Sequence, residues 1–348
     1  MYIIKIIKFT NAPFKFIIKL YTCKGKNTMK KRIFIILLII LILGGFAWGF
    51  LNSRKDPSSF TVGICQFMQH DALDEATQGF KDALTEKLGD RVIFDEKNAQ
   101  GDYSVCTAAM NDLVSKDVDL ILANSTAALQ TAATSTTEIP ILGTSVTNYA
   151  AALQIDGFDG TVGGNISGTT DLAPLEEQAA MIRELFPEAK KAGLLYCSSE
   201  PNSEYQAEVI RSELEALGFT CEAYPFSDSN AISSVTITAS SACDVLYIPT
   251  DNAAAANAEL IANICVADKT PVITGEESTC RICGAATLSI DYYSLGYATG
   301  EMAVRILEDG EDIAAMPIEF PARFTKKYNE TICKKLGIEV PKDYVALP

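Results

Sequence analysis

Residues 192–224 read AGLLYCSSEPNSEYQAEVIRSELEALGFTCEAY, and this stretch decides the architecture. An apolar run at 192–196 predicts a buried strand. A longer segment at 204–217 places Val209, Ile210, Leu214 and Leu217 on one helical face, and Gly218 stops it. A second strand follows at 220–224. Strand, helix and strand at this spacing predict a right-handed crossover between parallel strands.

The same grammar extends in both directions. Further strands are expected at 61–67, 92–95, 120–123, 139–143, 245–248, 272–274 and 286–290. Helices are expected at 74–88, 104–115, 175–186, 252–267 and 295–307, with Asp102, Ser104 and Ser203 as caps and Pro187 as a stop. Residues 60–145 and 190–275 each give four strands with intervening helices, and the Gly- and Thr-rich segment 157–170 suits a passage between two halves. The expected fold is α/β, with two Rossmann-like doubly wound lobes. Ligands of such sheets bind at the carboxyl ends of the strands.

Charge narrows the function. The 348 residues carry 29 Lys and Arg against 44 Asp and Glu. Residues 1–55 hold 11 of the basic residues and none of the acidic ones, which leaves the remainder at −26. Such a body has too few cations to hold a phosphate backbone, so no nucleic acid is expected as a partner. With one histidine, His70, a multi-histidine metal site is excluded. No phosphate loop, dinucleotide fingerprint or nucleophile elbow is present, so neither a cofactor nor an enzymatic activity is expected.

The basic residues flank an uncharged run, IFIILLIILILGGFAWGFL at 33–51, whose 19 residues as a helix span roughly 28 Å. Nine cations precede it and Arg54 and Lys55 follow, which puts the N-terminus inside the cell and the acidic body outside. Residues 29–57 are thus expected to be a signal or anchor helix with its linker, and 1–28 a basic extension upstream of Met29. Small residues at Ala47 and Gly49 offer a cleavage site, so the body is either anchored to the outer face of the membrane or secreted. The pair Cys280 and Cys283 suits a local disulfide or two incidental thiols.

The segments after the strands are polar. Six motifs occur in order: 69–74 (QHDALD), 98–102 (NAQGD), 171–178 (DLAPLEEQ), 196–203 (YCSSEPNS), 249–252 (PTDN) and 290–296 (IDYYSLG). Together they resemble the solute-binding proteins of ABC importers with a type I periplasmic-binding-protein fold, in the branch associated with tryptophan and other aromatic amino acids. The resemblance runs from about residue 60 to about 340. It implies two lobes on a three-stranded hinge, 58–165 with 290–315 and 166–289 with 316–348. It also implies capture of an amino acid-like solute, aromatic ones favoured, for a membrane permease and its ATPase. A receptor ectodomain of the same fold is the alternative.

An amino acid needs donors for its carboxylate, an anion for its ammonium and apolar walls for its side chain. Ser125, Thr126, Thr144 and Thr147 with their backbone amides are the expected carboxylate donors, a task they can share with helix capping, and Ser145 is an expected contact beside them. Asp251 is the expected ammonium partner, with an N-cap of the helix starting near Asn252 as an equally weighted reading, and Glu200, Glu276 and Asp291 are alternative anions. For Glu276 a solvated loop carboxylate is the favoured reading. His70 would cover the solute, Leu73 would wall it, Asn202 and Asn252 would take direct or water-mediated bonds, and Gln69, Ser199 and Thr250 are further expected contacts. Tyr292 and Tyr293 read as core or hinge packing.

Overall fold

The computed structural model describes residues 59–320 and 323–347, so the apolar run at 33–51 and everything else before residue 59 lie outside the described residues. Among the described residues no helix is long and apolar enough to cross a membrane. Two sheets form. In the first, β1 (Phe60–Gln66), β2 (Val92–Asn98), β3 (Leu120–Asn124), β4 (Ile141–Val146) and β5 (Ile166–Thr170) run parallel in the order β2-β1-β3-β4-β5.

The second sheet repeats that order. β6 (Lys191–Cys197), β7 (Thr220–Phe226), β8 (Val245–Ile248), β9 (Val272–Thr274) and β10 (Ala286–Ser289) lie as β7-β6-β8-β9-β10. β11 (Thr325–Tyr328) then adds antiparallel to β10, and β12 (Val345–Ala346) closes that edge. Two lobes with one strand order match the repeat expected from sequence.

Helices cover both faces of each sheet. The first lobe carries α1 (Asp71–Leu88), α2 (Tyr103–Ser115), α3 (Thr126–Ser135) and α4 (Tyr149–Leu153). The second carries α5 (Leu175–Leu185), α6 (Pro201–Ala216), α7 (Ile232–Ala242), α8 (Asn252–Ala256), α9 (Ala258–Asp268) and α10 (Glu277–Ile282). α11 (Tyr292–Leu307) returns to the first lobe and α12 (Glu330–Leu336) to the second. Strands buried on both faces send alternate residues to opposite cores. Ile121 packs with Leu113 and Leu129, whereas Leu122 packs with Phe80 and Met302.

Some boundaries differ from expectation. The segment 166–170 pairs with β4, so it completes the first sheet and does not open the second lobe. Ile313, Met316 and Ile318 also pack into the first lobe, which therefore extends beyond residue 315. Ser203 lies within α6, whose N-cap position is Glu200. The helix expected at 252–267 breaks at Asn257 into α8 and α9. Cys280 and Cys283 are both free and buried.

The chain passes between lobes after β5, after β10 and between Glu319 and β11. The passage after β10 leads into α11, which is seated against α1 through glycines. A Cβ on Gly296 would lie 1.9 Å from the Ala76 carbonyl oxygen, and one on Gly79 would lie 2.0 Å from that of Tyr293. Only hydrogen fits there. Gly296→Ala is therefore expected to push the helices apart, to cost about 1–3 kcal/mol and to lower the melting temperature. An unchanged melting curve would contradict this packing.

Candidate functional site

The loops at the carboxyl ends of both sheets meet in one cleft. Its inner cavity measures ≈ 20 Å³ and is lined from the first lobe by His70, Leu73, Ser145 and Thr147, and from the second by Asn202, Thr250, Asp251, Asn252 and Glu276. These nine were expected. Ala72, Ala255, Asp171 and Tyr292 line it as well and were not among the expected contacts. A larger cavity of ≈ 410 Å³ adjoins at His70 and Ala255, with Gln69, Leu260 and Ile282 in its wall.

The other expected residues lie outside the inner cavity, and most of them serve the fold. Ser125 caps α3 by accepting from the Ala128 amide. Thr144 faces Thr169 (3.3 Å), which in turn bonds Thr299 on α11. Thr126, the first residue of α3, is buried with no partner for its hydroxyl. Ser199 is exposed and hydrogen-bonds Cys197 and the Ser227 carbonyl. Asp291 is exposed and caps α11 through the Ser294 amide.

Four carboxylates are buried around the cleft, and three are occupied by backbone. Glu200 accepts from the amides of Asn252 and Ala253 (3.0 and 2.9 Å) and from the Asn252 side chain (2.6 Å). Asp251 accepts from the amides of Cys197 and Ala254 at 2.6 and 2.7 Å. Glu276 accepts from the amide and hydroxyl of Ser278 and from the Thr279 amide. Glu276 is thus a buried cap for α10, not the solvated loop carboxylate expected from sequence.

Asp171 is the fourth. Its partners are two hydroxyls, Tyr292 at 2.8 Å and Thr147 at 3.2 Å. Burial pushes its carboxyl up to about 6, with a small addition from Glu276, and the two hydroxyls and its own backbone N–H oppose the rise. Burial, then the neighbouring Glu200, also raises Asp251 above the usual carboxylate range. Among the described residues no Lys or Arg lines this cavity.

The first-lobe side is strained and under-bonded. Ser125 and Ser145 hold φ of 123° and 54°, values that a residue with a Cβ adopts at a cost. The Ser145 hydroxyl and His70 Nδ1 are buried without partners. Across the cleft, His70 Nε2 meets Asn252 Oδ1 at 3.1 Å, Thr147 meets Thr250 at 3.3 Å, and Tyr103 donates to the Ser199 carbonyl at 3.2 Å. At the mouth Arg281 approaches Asp71 and Glu75 at 3.6 and 3.7 Å. Among the described residues no cluster of His, Cys, Asp and Glu could hold a metal ion.

Residues 61–348 match the family model for ABC transporter substrate binding proteins. The chain belongs to this family.

Relatives agree with that membership. This substrate-binding protein is 33% identical over 291 residues to a tyrosine-binding protein of Clostridioides difficile, covering 83% of each chain. A Streptococcus pneumonia domain solved in complex with L-Trp superposes with a TM-score of 0.78 at 30% identity, over 82% of this chain and 97% of that one. The ligand-free, open structure of a Clostridium difficile substrate binding protein with adhesive properties scores 0.64 at 32% identity, over 83% and 99%. The hydrogen bonds that join the two lobes across the cleft make the conformation described a closed one. Family membership makes the chain a solute carrier of an ABC importer, not an enzyme, and places its body outside the cytoplasm.

The backbone partners of Asp251 yield a prediction. In Asp251→Asn only one side-chain atom still accepts, and the amide nitrogen faces a backbone N–H. Such a loss costs about 1–3 kcal/mol, so the melting temperature without ligand is expected to fall by several degrees. An unchanged melting temperature with lost amino acid binding would instead make Asp251 a direct ligand contact.

Proposed function

We propose that the chain captures an aromatic L-amino acid (tyrosine, tryptophan or phenylalanine) between its lobes and delivers it to an ABC permease. The observation that carries the reading is the chemistry of one closed cleft. It sets buried carboxylates without Lys or Arg beside a first-lobe wall that holds the Thr147 hydroxyl and the unpartnered Ser145 hydroxyl, the complement of a zwitterion. The names of the relatives support the aromatic side chain.

In this reading Ser145 and Thr147, backed by Ser125, Thr126 and Thr144, receive the carboxylate. His70, Leu73, Ala72 and Ala255 border the side chain, which extends toward the ≈ 410 Å³ cavity. Asn202, Thr250 and Asn252 close the second-lobe side, with Glu200, Asp251 and Glu276 holding their loops. The closed cavity of ≈ 20 Å³ holds about one water, so the solute enters with the lobes apart. The run at 33–51 serves as export signal or membrane anchor, with residues 1–28 on the cytoplasmic side.

Calorimetry on the purified full-length chain tests the reading. At least one of L-tyrosine, L-tryptophan and L-phenylalanine is expected to bind, to raise the melting temperature and to reduce the radius of gyration in small-angle scattering. Binding of none of the three would overturn it. For the topology, protease added to intact wall-free cells is expected to remove the body, and full protection until lysis would contradict export.

A further inference from the structure

Every buried carboxylate in the cleft has hydrogen-bond donors, and in one of them no helix-start amide takes part. Glu200, Asp251 and Glu276 are each held by two backbone amides, so their oxygens are committed to fixing α8 and α10. Asp171 is 5% exposed, yet its side chain takes no amide from another residue, only the Tyr292 and Thr147 hydroxyls beside its own backbone N–H. Two carboxylate oxygens offer about four acceptor sites, so acceptor capacity remains at Asp171 and no helix start claims it. Asp171 also stands where closure converges, as the first residue after β5. Thr147 holds it from the end of β4 and Tyr292 from the start of α11.

We propose that Asp171 receives the ammonium group of the bound amino acid. The inference rests on the amino acid reading above and assigns within it the cation-reading residue. The groups that face Asp171 are Glu276, Tyr149 and Tyr292, none of which supplies a positive charge, and His70 and Asp251 border the same cavity. A buried carboxylate without a cation favours its protonated form, and a bound ammonium restores the ionised one. The site therefore selects solutes with a free primary amine and rejects their deaminated or N-acylated analogues.

The chemistry also fixes a pH sign. The Asp171 carboxyl, pushed up to about 6, must lose its proton to meet an ammonium. Affinity therefore falls as pH drops through that value, by about tenfold between pH 7 and pH 5.

The test uses the full-length chain with L-tyrosine, L-tryptophan and L-phenylalanine, and the deaminated analogue 3-(4-hydroxyphenyl)propanoate. Asp171→Asn keeps the size and an acceptor for Tyr292. It is expected to weaken amino acid binding by about thirty-fold or more, to leave the weak binding of the deaminated analogue unchanged, and to flatten the pH dependence. A melting curve confirms that the variant folds. On the wild-type chain alone, the deaminated analogue is expected to bind at least thirty-fold more weakly than L-tyrosine. Equal amino acid affinity in wild type and variant overturns the assignment and leaves the amino acid reading standing. Equal losses for both ligands also overturn it, since they mean a general structural role. A wild-type chain that binds none of the three amino acids overturns the functional reading, and the assignment falls with it.

Discussion

A carboxylate removed from water must be given hydrogen-bond donors or a cation, and this molecule buries four of them around one cleft. Much of the second lobe is arranged to meet that demand. The loop after β6 delivers Glu200 to the first amides of α8. The loop after β8 turns Asp251 back onto the Cys197 amide, and the loop after β9 folds Glu276 over the start of α10. Each acid fixes a helix start, and together they make the second-lobe wall rigid. Asp171, which takes no amide from any other residue, is the exception, and it is there that we place the recognition of the ammonium group.

The first lobe solves a different problem. Its hinge-side helix, α11, is tied to α1 by glycine contacts too close for any side chain, so the passage after β10 arrives in a fixed place. A buried chain of threonines, Thr144, Thr169 and Thr299, links the end of β4 through β5 to that helix. Closure itself is lightly held. The contacts across the mouth are single hydrogen bonds and partly exposed ion pairs, each worth at most about 1 kcal/mol. A solute that bridges both walls can therefore dominate the balance between open and closed forms.

How much of this is legible in the sequence follows from the same physics. Strands such as 245–248 and 272–274 are continuous apolar runs between turn residues, and they form where expected. β5 escaped because its sequence, ISGTT, has neither an apolar run nor alternation. Its threonines are buried through hydrogen bonds that no local pattern announces. β11, with the sequence TKKY, is a half-exposed strand added antiparallel at the sheet's far side, and it carries little signal. Nine cavity residues were found because strand ends are where doubly wound sheets present their loops. Asp171 follows the one first-lobe strand that was missed, so that rule passed over it. Asp251 was recognised as an anion, but capping a helix and pairing an ammonium call for the same residue at the same place. Only the positions of the Cys197 and Ala254 amides separate the two roles.

The central claim is that backbone amides occupy three of the four cleft carboxylates and the solute's ammonium group takes the fourth. A crystal structure of the complex with L-tyrosine or L-tryptophan tests it most directly. The account predicts the ammonium nitrogen at roughly 2.7–3.2 Å from an Asp171 carboxylate oxygen, with Glu200, Asp251 and Glu276 still on their present amides. An ammonium group seated on any of those three, with Asp171 left on its two hydroxyls alone, would contradict it.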